Sequence, residues 1–186
     1  FSTASKRGNV VKTRRVAPGD LRMKRFFSLA GLLVLLVALS ACLSGEIPQY
    51  LLLGDYESAK TKALELRDLF GADSFYLELQ DHGIKEQALV NQEIIRMSRE
   101  TGIPLVATND VHYVEKGDAV AQDILLCIQT GKTVEEEDRL KFQGQEFYFK
   151  SQDEMYELFK YIPEALENTA KIAEMCSLEF KFGQVH

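Results

Sequence analysis

The one compact group of metal-ligating side-chain types in the sequence is Thr108-Asn109-Asp110-Val111-His112-Tyr113. In extended chain, residues i and i+2 point to the same side, so Asp110 and His112 present a carboxylate and an imidazole toward one cation. The group follows Ile103-Pro104-Leu105-Val106-Ala107-Thr108, an apolar run of strand length. That position, the carboxyl end of a strand, is where α/β barrels and open sheets carry their sites. The plainer reading has Asp110 capping the next turn and His112 half-exposed, and for an isolated Asp-x-His it is the commoner outcome. His82, in Gln80-Asp81-His82-Gly83, reads as a polar loop histidine supporting a turn, and His186 is the third and last histidine. Cys42, Cys127 and Cys176 are widely spaced, which indicates neither a zinc ribbon nor a disulfide scaffold and suits a reducing compartment. Cys127 and Cys176 both read as small buried hydrophobes.

The elements that must position these residues alternate between helix and strand. Tyr50-Leu51-Leu52-Leu53 predicts a short helix or turn, and Asp55 is placed to cap a stronger helix. In that helix Ala59, Ala63, Leu66 and Phe70 form one stripe, closed by Gly71. Residues 74–80 alternate with period two and predict a strand, and Val90, Ile94 and Met97 mark the inner face of a helix ended by Gly102. After the site, Asp118 is expected to cap a helix ended by Gly131, and residues 132–141 form a charged, solvated loop. Residues 146–150 predict a strand, Ser151 to Glu154 a capping box, and Pro163 the first turn of a helix with Leu166, Ala170 and Ala173 on one face. Strand, helix, strand with short loops is a parallel α/β order, and periodicity does not choose between barrel and open sheet.

The front of the chain is of another kind. Residues 1–25 are basic, with Asp20 their only acid, and predict a flexible arm. The net charge of the whole is −6, so the body is strongly acidic and unlike a free-standing binder of nucleic-acid backbones. Residues 26–41 carry no charge, are short for a membrane span, and suit a signal-peptide core. Leu39-Ser40-Ala41-Cys42 has the form of a lipoprotein cleavage box, which would make Cys42 a lipidated, membrane-anchored N-terminus. The composition from Leu43 onward, with no linker, favours a cytoplasmic domain instead. The basic and hydrophobic segments therefore look foreign to the domain that follows, and the end at Phe180 to His186 suggests a polypeptide that continues.

Three longer stretches, Phe75 to Gly83, Ile103 to Tyr113 and Asp123 to Lys132, closely resemble the PHP domain of bacterial DNA polymerase III alpha subunits, with compatible spacing from about Leu39 to the end. The resemblance implies an α/β fold, here an incomplete distorted β/α barrel of PHP type over residues 42–186. It implies zinc or manganese at the strand ends, 3′ to 5′ exonuclease activity in some members, magnesium for the full polymerase, and DNA and other replicase subunits as partners. By position, Cys42, Asp110 and His112 correspond to family metal ligands. The family's opening His-x-His pair and the polymerase's Asp-x-Asp pair have no counterpart here, so the isolated chain is expected to lack both activities, and no catalytic residue is assigned. A non-catalytic platform for polymerase partners is the further reading that such a reduced ligand set permits.

Overall fold

Short apolar runs, each too brief for a helix, become the strands of a small parallel sheet. The computed structural model describes residues 37–176 and Gly183. Its strands are β1 (Ala38–Leu39), β2 (Phe75–Leu79) and β3 (Leu105–Ala107), in the order β1-β2-β3. Both pairings are parallel, with Ala38 opposite Phe75 and Leu77 opposite Leu105. Parallel neighbours need a crossover, which α1 (Glu46–Leu52) and α2 (Tyr56–Phe70) supply before β2, and α3 (Lys85–Thr101) before β3. After β3 come a 3₁₀ turn at Lys116–Asp118 and helices α4 (Ala119–Thr130), α5 (Gln152–Phe159) and α6 (Pro163–Met175). The basic arm of residues 1–25, the apolar residues 26–36 and His186 lie outside the described residues.

The core forms because the central strand is covered on both sides. Phe75, Leu77 and Leu79 are fully buried with Ala59 and Ala63 of α2, Ile94 and Met97 of α3, and Phe159. The alanines let α2 approach closely, while Leu66 and Phe70 are only partly buried. Asp55 caps α2 by accepting the Ser58 N–H at 3.1 Å, and Gly102 closes α3 at a φ of 72°, which glycine adopts without a Cβ penalty. On the β3 side, Asn168 of α6 donates from Nδ2 to the Leu105 carbonyl at 2.7 Å, giving a buried acceptor its partner.

Several expectations are corrected. Residues 146–150 form no strand; they meet residue 113 in a single bridge, Tyr113 with Tyr148, because no neighbouring strand runs long enough to extend a ladder. The strand expected over 74–80 is found as β2, and every residue of it except Glu78 is buried. Asp118 does not cap α4 with its side chain; its carboxylate accepts the Glu115 N–H at 2.9 Å and so closes the 3₁₀ turn. The inner face of α6 is Ala165 and Asn168 with partly buried Leu166, whereas Ala170 and Ala173 are exposed. Cys176 is exposed at the end of α6, whereas Cys127 is buried.

Candidate metal centre

Three chain segments leave the carboxyl ends of the strands, and the polar residues of the rim are held by the start of α3. After β2, Asp81 accepts the Gly83 N–H at 2.9 Å and turns the chain, with Gly83 at a φ of 71°. From α3, Asn91 Nδ2 donates to the Gln80 carbonyl at 2.9 Å, and Gln87 reaches His82 through both atoms of its amide. His82 is buried, its Nε2 lies 2.8 Å from the Asn109 carbonyl, and its ring stacks on Phe147 at 4.1 Å between centroids. The turn after β2 therefore grips the loop after β3.

In that loop the candidate donors Asp110 and His112 stand together, though not through strand alternation. Asp110 adopts a φ of 48°, a left-handed turn in place of the extended chain the sequence suggested. His112 Nδ1 lies 2.9 Å from the Asp110 carbonyl oxygen and 3.8 Å from its carboxylate. The nearer partner is the backbone carbonyl, which only accepts, so Nδ1 carries the proton and Nε2 keeps the lone pair a metal would use. The imidazole packs on Phe142 at 4.4 Å and meets the edge of Phe147 at 5.6 Å, while its backbone N–H donates to the Phe147 carbonyl at 2.8 Å. Both side chains are about one-third exposed.

Cys42 stands on the same rim but is not at a strand end. β1 stops at Leu39, Ala41 turns left-handed with a φ of 69°, and Cys42 lies in an exposed turn, where it shares a recess with Glu78 and Gln80. Gly45 makes that turn possible: a Cβ there would come within 2.7 Å of the Ser40 carbonyl oxygen. Residues 39–46 thus act as strand end, tight turn and helix start. Among the described residues, no three His, Cys, Asp or Glu side chains converge on a point where an ion would sit. Asp110 and His112 are neighbours in the loop after β3, and Cys42 lies in the turn after β1 beside Glu78 and Gln80.

Two polar contributions have no clear sequence signal. Lys150 is buried, with Nζ against the Glu146 carbonyl, 3.3 Å from Asn109 Oδ1 and 4.4 Å from the Tyr148 ring centroid. Burial pulls its pKa below the usual lysine value, against the upward pull of Glu146. Lysine is ordinarily exposed, so nothing in Phe147-Tyr148-Phe149-Lys150 marks this one as buried. The other contribution is Glu78, which accepts from Thr108 Oγ1 and, at 3.2 Å, from Gln80 Nε2, tying β2 to the start of the site loop.

Comparison with known proteins fits this arrangement. Residues 24–82 match the PHP domain family. The match begins within the basic front and runs through the apolar stretch to His82. A DNA polymerase III subunit alpha from Borreliella burgdorferi is 53% identical over 146 residues, 78% of this chain and 13% of that protein. The Treponema pallidum subunit is 48% identical over 143 residues, and the Thermus aquaticus subunit 40% over 151. The chain thus spans only 13%, 12% and 12% of the length of these relatives. The comparisons lend no support to an exported lipoprotein, and among the described residues no helix is long and apolar enough to cross a membrane.

Proposed function

We propose that this chain is part of a replicative DNA polymerase III alpha subunit, a DNA-directed DNA polymerase acting in the cytoplasm, and contributes part of its PHP domain. The observation that carries the reading is the 53% identity to such a subunit over 78% of the chain. In this reading residues 42–186 are a partial PHP domain, and the three-stranded sheet is one arc of a distorted β/α barrel whose other strands lie elsewhere in the longer polypeptide. DNA and other replicase subunits are met through the full-length protein, whose polymerase site uses magnesium. The test is primer extension with magnesium and deoxynucleotides. The longer polypeptide should extend a primer, while the 186-residue chain should neither extend it nor release nucleotides from a DNA 3′ end. Failure of the longer protein to extend would remove the reading.

The same proposal makes Asp110, His112 and Cys42 donors to a zinc or manganese shell completed by residues outside this segment. The neighbouring carboxylate and imidazole support it, with Cys42 on the same rim. A bound divalent ion would supply Lewis-acid polarisation and an activated water there. Zinc should bind the wild-type chain more tightly than Cys42→Ser, and more weakly as pH falls, since thiolate and neutral imidazole are the binding forms. Equal affinity would exclude Cys42 as a donor.

A further inference from the structure

We infer that His82 is a positioning residue for the metal loop: from the turn after β2, its Nε2–H holds the Asn109 carbonyl and so fixes the backbone that presents Asp110 and His112. The inference rests on reading Asp110 and His112 as metal ligands.

Both nitrogens of the His82 ring are already used. A carbonyl oxygen only accepts, so the nitrogen 2.8 Å from Asn109 O carries the hydrogen. Nδ1 then accepts from Gln87 Nε2 at 2.9 Å, while Gln87 Oε1 accepts the His82 backbone N–H at 2.9 Å. In that arrangement the 3.3 Å approach of Gln87 Oε1 to Nδ1 joins two acceptors and is no bond. With 3% of its surface exposed, His82 has no free lone pair to offer an ion. Its chemistry is spent on holding.

What it holds is both ends of the donor loop. Asn109 is gripped by its carbonyl, while its side chain donates to the Tyr148 carbonyl at 2.8 Å and accepts from Lys150 at 3.3 Å. At the other end, the ring stacked on His82 belongs to Phe147, whose carbonyl takes the His112 N–H at 2.8 Å. Between these anchors Asp110 sits at a φ of 48°, a conformation that an unrestrained residue with a Cβ tends to leave. If it left, the Asp110 carbonyl would turn away from His112 Nδ1, now 2.9 Å distant, and the ring would lose the contact that keeps Nε2 available. The linkage runs from the His82 ring through the Asn109 carbonyl and the Asp110 backbone to the His112 tautomer.

The experiment uses the 186-residue chain, nitrogen-15 NMR of the histidine rings and zinc titration against a competing chelator, with His112→Ala identifying the His112 signals. Wild type should show His112 with its proton on Nδ1. His82→Leu should spread those signals over both tautomers and weaken zinc binding about 10- to 100-fold, the usual effect of removing a residue that orients a ligand. His82→Gln, which restores a donor of similar reach, should recover part of both. Lys150→Met, which removes the bond to the Asn109 side chain together with the contacts to the Glu146 carbonyl and the Tyr148 ring but leaves the His82 bond to the Asn109 carbonyl in place, should shift both readouts less and in the same direction. Zinc affinity unchanged in His112→Ala would end the metal reading, with the wild-type and His82→Leu ring signals still reporting on the clamp. Weaker zinc binding in His112→Ala together with wild-type signals and affinity in His82→Leu would overturn the positioning role alone. Should His82→Leu fail to fold, wild-type behaviour of both readouts in Lys150→Met and no change of His112 signals in His82→Gln would overturn it equally.

Discussion

In the sheet region, residues 37–107, Phe75, Leu77, Leu79, Ile94 and Met97 lie in a shared apolar interior. Across residues 108–150 the buried apolar side chains are Tyr113, Leu126, Cys127 and Phe147, while Val120 and Ile128 of α4 are 64% and 71% exposed. The second region is held instead by directional contacts. Arg139 grips Asp123 through two bonds of 2.5 and 2.8 Å, Lys116 meets Glu146 at 2.6 Å, and Asn109 reaches Tyr148 and Lys150. Burial is non-directional and shared among many neighbours, whereas these bonds each depend on one geometry. The loop of Asp110 and His112 thus draws on a region where a single substitution can change local geometry and leave the fold standing.

The comparison breaks first in the core. Phe75→Ala should cost about 3–5 kcal/mol of global stability by denaturant unfolding, the usual range for a buried phenylalanine. A loss below about 1 kcal/mol would mean that the sheet region is no more cooperative than the loops. Next in size is Ser151→Ala, which removes the hydroxyl that accepts the Glu154 N–H at 3.3 Å in the α5 capping box. It should cost about 1 kcal/mol. Arg139→Met should show little global change but faster hydrogen exchange across residues 132–141, with β2 amides unaffected; equal acceleration in β2 would join the two regions into one cooperative unit.

A subtler separation comes from pH. Hydrogen bonds from Tyr148, then Ser151, bring Glu154 down to about 2, and Lys60 followed by Arg96 does the same for Glu100. A carboxylate depressed in the folded state adds stability that is complete above its ordinary value of 4.5 and is lost as pH falls toward about 2. Carboxyl NMR titration should therefore give both groups midpoints near that lower value, and unfolding midpoints should decline over the same window. Glu154→Gln should flatten the decline near α5 and leave the α2–α3 contribution of Glu100 intact. An ordinary titration midpoint at Glu154 would show that the Tyr148 bond of 2.6 Å does not persist in solution.

Much of the fold was legible because local rules and burial agreed. Asp55, Gly71, Gly102, Gly131 and the Ser151 capping box mark ends that backbone geometry alone imposes, and those ends stand where expected. Local pattern misled where tertiary context overrode it. Residues 146–150 have strand-like composition but lack a long partner, and Ala170 and Ala173 have helical spacing but face away from the sheet. The residue types of the candidate site, Asp110 and His112, stood out in the chain, as did their place after a buried strand.

By itself the sequence determined the order of elements, most of their caps and the adjacency of the two candidate donors Asp110 and His112, since each depends on residues a few positions apart. Tertiary structure decided how the donors are held. His82, Asn109 and the stretch from Phe147 to Lys150 are far apart in sequence, and only folding brings the imidazole to the Asn109 carbonyl and the ammonium into a buried site. Those contacts depend on hydrogen-bond distances and on burial that turns a usually exposed lysine inward, and neither is encoded in local spacing.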